Sequence, residues 1–331
     1  MRTICTLLTV VACAVAVPAQ DAATTLAEAC RRADVVVHAT VVAATDPSPD
    51  WHRLEFRVEA LLAGQVGTTF SVLEPSGACC GRSLFALQIG NSCLLFLQRT
   101  GATLHPFGGG RGVLPAEPAL LQHVRQLLAA GDDAARVRVL LAGLAQAEPR
   151  VQHDAATTLA TMPAPTLDPA ARQLVAERLA AAVRGGLTTT PALAELAVRS
   201  GDATLLQDTV QTYLGATRRD QAAALRRCLL RAEPGDLVQR LLPALDQDAG
   251  RQVRAAELLA DLPVEHTIGP MRALLRQGVH PRVKLCVAEA MLAAGHHRQQ
   301  LEALVPASVL RLAEQRRAAP KRFRSVTPLA R

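Results

Sequence analysis

The chain has 331 residues, half of them hydrophobic, with 36 basic against 29 acidic side chains and a formal net charge of +7. That length exceeds what one ordinary core organises and predicts two domains. Aromatic residues make up only 2%, and the Ala, Leu, Val and Arg that dominate instead suit packed amphipathic helices. Only Lys284 and Lys321 are lysine; positive charge supplied in this way, with no recognition motif beside it, gives no ground for specific nucleic-acid binding.

Residues 1–19 read as a signal peptide: Arg2 is the basic start, Ile4 to Val17 is almost wholly apolar, and Val17-Pro18-Ala19 has cleavage-site spacing. The expected location is therefore periplasmic or secreted. The apolar run is short for a bilayer, which takes about 20 residues, and no transmembrane segment is expected after signal removal. An alternative is a lipid anchor, because Val10-Val11-Ala12-Cys13 resembles a lipobox with Cys13 as the lipidated residue.

Residues 20–116 read as a β domain. Asp34 to Val42 is a β-branched run, and Leu54, Phe56 and Val58 alternate with Arg53, Glu55, Arg57 and Glu59. Further runs at 68–73, 93–98 and 102–105 give five short strands, which suit a small barrel. Export permits disulfides, and Cys30, Cys79, Cys80 and Cys93 are the candidates, their pairing open among three possibilities. Adjacent Cys79-Cys80 lacks the CxxC spacing of a metal site. Cys228 and Cys286 stand alone within helical patterns and read as small buried hydrophobes.

Cys30-Arg31-Arg32-Ala33-Asp34-Val35-Val36, Val58 to Gly64, Cys80-Gly81 and Gly90 to Phe96 occur in an order that resembles the netrin-like module of the tissue inhibitors of metalloproteinases. The resemblance covers residues 30 to 107 and implies an OB-type barrel. Two residues separate Cys30 from Ala33, and Cys93 stands where that family has an aromatic, so its disulfide scheme does not transfer. Its inhibitory chemistry needs a cysteine at the mature N-terminus, whereas cleavage after Ala19 leaves Gln20 first.

From Glu117 to Ala318 the pattern is helical, with breaks at Gly131-Asp132, Glu148-Pro149, Met162-Pro163, Gly185-Gly186, Gly201-Asp202, Gly215, Glu233-Pro234, Asp248, Gly278 and Gly295. Ala222-Ala223-Ala224-Leu225, Ala255-Ala256-Glu257-Leu258 and Ala288-Glu289-Ala290-Met291 begin 33 residues apart. With Pro149-Arg150-Val151 and Pro281-Arg282-Val283 opening such segments, the unit resembles the short HEAT or armadillo-like repeat. About six stacked helix pairs are expected, with residues 187 to 215 a degenerate one. Residues 319–331 form a basic tail, expected to be disordered and capable of weak contact with envelope polyanions.

The predicted fold is thus multidomain α+β, a five-stranded OB-like barrel followed by an all-α HEAT-like solenoid. There is no HExxH, GxSxG or phosphate-binding glycine loop, and no catalytic residue, cofactor or metal is expected. Gly108 to Gly112 reads as a hairpin or interdomain loop, and His296-His297 as a turn at the surface. The expected function is an exported, non-catalytic protein–protein interaction scaffold, its partner a protein met along the helical surface. Arg218, Arg219, Arg226, Arg227 and Arg231 are the candidates for an anionic-partner surface. The alternative is an exported regulator or inhibitor of an enzyme, such as a protease, acting through the β domain.

Overall fold

The computed structural model describes residues 25–48, 51–75, 87–276, 280–293, 295–296 and 298–318. The expected signal peptide, Cys13, Cys79, Cys80, Gly278, His297 and the basic tail lie outside them. The chain divides into two compact units, residues 1–116 and 117–331.

The first unit opens on α1 (Leu26–Arg32), where the Thr25 side chain accepts the Glu28 backbone N–H at 3.1 Å and Arg31 and Arg32 occupy the last turn. No helix was expected at this point of the sequence. Six strands follow: β1 (Val35–Ser48), β2 (Trp51–Ala63), β3 (Thr69–Pro75), β4 (Ser92–Thr100), β5 (Thr103–Pro106) and β6 (Val113–Pro115). They pair antiparallel in the order β3-β2-β1-β4-β5, with β6 also on β4. Gly109–Gly112 is a 3-10 turn leading from β5 into β6, so the glycine run turns the chain within the sheet.

The alternation along β1 puts Val35, Val37, Ala39 and Val41 into one interior with Leu54, Phe56, Val72, Cys93, Leu95, Leu97 and Leu104. Phe56 stacks on Phe70 with ring centroids 5.1 Å apart. Val36, Leu94 and Phe96, which point the other way, are also buried, and α1 contacts β4 with Leu26 and Ala29 buried. The centre of the sheet is therefore covered on both faces, which explains the unbroken valine run at its start. A closed barrel was expected. Among the described residues no ladder joins β3 to β5, although these two edge strands touch; β5, with four residues, already gives its pairing side to β4.

The second unit is all helical: α2 (Pro118–Ala129), α3 (Asp133–Ala145), α4 (Pro149–Thr161), α5 (Pro169–Gly185), α6 (Thr190–Arg199), α7 (Ala203–Gly215), α8 (Arg219–Leu229), α9 (Pro234–Leu241), α10 (Ala249–Leu259), α11 (Val264–Arg276), α12 (Pro281–Ala293), α13 (Arg298–Glu302) and α14 (Ala307–Ala318). Most starts are chemically specified. Asp132, Asp168, Asp202 and Asp248 accept backbone N–H groups at the N-caps of α3, α5, α7 and α10, while Pro149, Pro169 and Pro234 stand at first positions.

These helices stack in two rows. One runs α2, α4, α6, α8 and then α10, α12, α14; the other runs α3, α5, α7, α9, α11, and each helix contacts near neighbours in the chain. Ala155, Ala156, Ala194, Ala197, Ala255, Ala256 and Ala288 are fully buried at the seams, where a methyl group lets helix axes approach closely. Residues 187 to 215, expected to be degenerate, contain the complete helices α6 and α7. Thr190, Thr209 and Tyr213 are buried there in place of aliphatic residues, and Thr209 satisfies its hydroxyl on the Leu205 carbonyl at 2.7 Å.

Gly64 has φ +81°, and a Cβ there would stand 2.0 Å from the Asp34 carbonyl oxygen. Gly64→Ala is expected to destabilise the first unit by about 1–3 kcal/mol, through left-handed strain and the forced shift of the β1 start, as measured by denaturant unfolding. Gly90→Ala, with positive φ but nothing within 4 Å of the added carbon, isolates the strain from the collision and is expected to cost less.

Candidate functional site

Of the four candidate disulfide cysteines, Cys30 and Cys93 are described and are not bonded to one another. Cys93 lies wholly inside the sheet interior with its sulfur 3.5 Å from the Ala39 carbonyl oxygen, and burial pushes its thiol up to about 12. Cys228 and Cys286 are buried in α8 and α12; burial first, then nearby carboxylates, pushes them up to about 11 and about 12. All three are protonated near neutral pH and are poor nucleophiles.

The five arginines expected to face an anionic partner are mostly engaged within the array. Arg218 grips Asp220 through two nitrogens at 3.3 and 3.1 Å, and its guanidinium fills the space where a Cβ at Gly186 would stand. Arg226 pairs with Asp261 and donates to the Glu257 carbonyl at 3.2 Å. Arg231 pairs with Glu195 at 2.6 Å. Arg219 is also engaged, leaving Arg227 exposed with no ion pair among the described residues. Further pairs join successive helices: Arg282 to Glu257 at 2.8 Å, Arg316 to Glu289 at 3.4 Å and Arg172 to Asp202 at 2.6 Å. Glu195, Glu257 and Glu289 thus take a guanidinium from the next helix of their row or its C-terminal end. The arrangement fixes how neighbours stack and neutralises charge the sequence left open.

A small solvent-open recess lies where α3, α4, α5 and α6 meet, lined by Leu144, Gln152, Arg178, Ala181, Leu187 and Leu193. Leu187 is 46% exposed. The recess is apolar with one cation and one amide at its margin, and it can take a single aliphatic side chain from a partner. Among the described residues no cluster of three or more His, Cys, Asp or Glu is placed to hold a metal, and no helix is long and apolar enough to cross a membrane.

Sequence reasoning missed the polar group beneath this region. His123 on α2 and Asp154 on α4 are 0% and 1% exposed, with His123 Nε2 3.5 Å from Asp154 Oδ2. Gly143 on α3 makes room for the ring; a Cβ there would come within 2.8 Å of His123 Cε1. Such a couple links α2 to α4 and is costly to break, because either side chain alone is left desolvated. Asp154→Ala is expected to cost about 3 kcal/mol, whereas His123→Leu with Asp154→Leu recovers much of that loss. A double variant whose loss equals the sum of the two single losses in a double-mutant cycle would show that the two groups do not couple.

The neighbouring His153 gives a pH dependence. Burial, then Arg150, holds its imidazole below the ordinary value, with Asp154 opposing. The unfolded chain therefore takes up a proton before the folded chain does. The stability associated with His153 is complete above about pH 6.5 and falls as the pH is lowered through the folded value. His153→Gln is expected to flatten that acidic decline in thermal unfolding midpoints measured across pH 5 to 8. No family model, curated protein or solved structure matches the chain.

Proposed function

We propose that the chain is an exported interaction scaffold in which the stacked helices of residues 117–318 bind a protein partner. The observation that carries this reading is the two-row stack itself. Its apolar faces and most of its ion pairs are consumed between neighbouring helices, which leaves the solvent-facing helix sides to meet a partner. Stacked helix pairs of the HEAT or armadillo-like kind use such surfaces for protein recognition. The recess at Leu187 supplies an apolar anchor point on it, and the pairing of most candidate arginines makes shape and apolar contact, rather than net charge, the basis of affinity. Export rests on the apolar segment at 4–17, and a disulfide in the first unit would have to use Cys79 or Cys80.

A second reading, regulation of an exported enzyme through the β domain, has one observation in its favour. The strand order β3-β2-β1-β4-β5, with β3 and β5 touching, is that of a partly open five-stranded Greek-key barrel, a frame whose outer face commonly holds a ligand.

Photo-crosslinking of the full-length protein in envelope and secreted fractions, with mass-spectrometric mapping, separates the two. Saturable crosslinks to one protein within 117–318, weakened by Leu187→Asp, are expected. Crosslinks confined to residues 25–116 would overturn the scaffold in favour of the second reading.

A further inference from the structure

The recess at Leu187 combines an apolar floor with two polar groups that have bonding capacity to spare. Leu144, Ala182 and Leu193 line it and are all but fully buried, whereas Leu187 lines it and is 46% exposed. That exposure follows from how α5 ends. Gly186, at φ +65°, donates its N–H to the Val183 carbonyl at 3.3 Å, and Leu187 donates to the Ala182 carbonyl at 2.8 Å. In a helix end closed by this pair of bonds, the residue after the glycine packs on the residue five before it. Here that residue is Ala182, whose single methyl group covers little of a leucine. The backbone of Leu187 is fixed all the same, because its carbonyl accepts the Thr190 hydroxyl at 3.0 Å. An apolar side chain carried on a fixed backbone is a preorganised contact.

Arg178 on α5 and Gln152 on α4 line the same recess. Arg178 donates one N–H to the Ala145 carbonyl at 2.8 Å, at the C-terminal end of α3. Unlike Arg172 on its own helix, which pairs with Asp202, Arg178 has no carboxylate within ion-pair distance among the described residues. A helix end carries only about half a negative charge and a guanidinium has five N–H groups, so charge and donors remain for an anion. Gln152 gives its Nε2 to the Gln146 carbonyl. A carbonyl only accepts, which fixes the amide and leaves Gln152 Oε1 to accept from elsewhere. The recess has a volume of about 50 Å³, a few water molecules' worth. That is room for one branched side chain and not for a fatty acyl chain. An aliphatic side chain, an N–H and a carboxylate together are what the last residue of a polypeptide presents.

We propose that the recess binds the C-terminal residue of a partner protein, a leucine, isoleucine or valine, an inference that rests on the scaffold reading and narrows it to one kind of partner. The aliphatic side chain enters among Leu144, Leu187 and Leu193. The terminal carboxylate meets Arg178, and the N–H of the last residue donates to Gln152 Oε1. The same residue inside a chain offers the side chain and the N–H but has a neutral carbonyl where the carboxylate would be. It forfeits the charge-assisted contact, so the site discriminates a chain end from an identical internal sequence.

The test titrates the full-length protein into two fluorescein-labelled pentapeptides that end in leucine and differ only in a free or an amidated C-terminus, read by fluorescence anisotropy. The free acid is expected to saturate, and the amide to bind about 10- to 100-fold more weakly. Arg178→Met, its fold checked by thermal unfolding, is expected to bind both peptides alike at the weaker level. Arg178→Lys is expected to restore part of the preference, and Leu187→Asp to weaken both peptides. Equal binding of acid and amide by the wild-type protein, an acid preference that survives Arg178→Met, or no saturation by the acid up to about 1 mM would overturn the proposal. Failure of the scaffold is read separately, in crosslinks confined to residues 25–116. Crosslinks within 117–318 that persist while neither peptide binds remove the chain-end site alone.

Discussion

A single helix pair of the second unit cannot bury its own apolar faces, and that constraint organises everything around it. Leu225, Leu229, Leu258 and Leu259 are all but fully buried, yet each lies on a helix of only 11 residues whose cover must come from the helices before and after it. Stability is then a sum of neighbour interfaces, and alanine at the seam sets how close those neighbours come. The ion pairs follow from the same geometry. With axes brought together by small residues, a glutamate near the middle of one helix comes within reach of an arginine on the next of its row. Exposed or half-exposed pairs of this kind contribute little energy individually. Their value lies in discriminating the right stacking offset from a slipped one.

The first unit solves a different problem. β1 is paired on both sides and covered on both faces at its beginning, so Val35, Val36 and Val37 are all buried. Further along, the outer cover ends, and the residues pointing outward change from Val36 to His38 and Thr40. The His38–Ser92 hydrogen bond between β1 and β4 lies where the buried part of the sheet gives way to the exposed part. There a side chain is held by ladder neighbours and can still meet solvent.

How legible these features were depends on their separation in sequence. Helix starts were readable because aspartate or glutamate caps and N-terminal prolines act within three residues, as at Asp132, Glu148-Pro149 and Asp248. β2 was readable from period-two alternation and β1 from its β-branched run, although the three-residue β6 was too short to show a pattern. Helix α1 was hidden in Leu26 to Arg32 because two charged residues at its end and one cysteine disguise an apolar stripe of two buried positions. The α6 and α7 pair looked irregular because threonine and tyrosine occupy seam positions there. The polar side-chain pairs join residues 54 apart for His38 and Ser92 and lie on different helices for His123 and Asp154. Neither pair falls in a local motif, and a lone buried histidine has no sequence signature.

Charge was the least transferable signal. A net +7 and a run of arginines on α8 suggest an open cationic face, but folding places Asp220, Asp261 and Glu195 beside three of those five side chains. An anion approaching Arg226 or Arg231 must displace a carboxylate already held, so the free energy gained is the small difference between two similar contacts. Salt weakens the longer-range attraction of such an anion further, beyond about one Debye length. If the array binds a partner as proposed, selectivity has to come from features that are not already satisfied internally, namely the apolar recess at Leu187 and the solvent-facing helix sides.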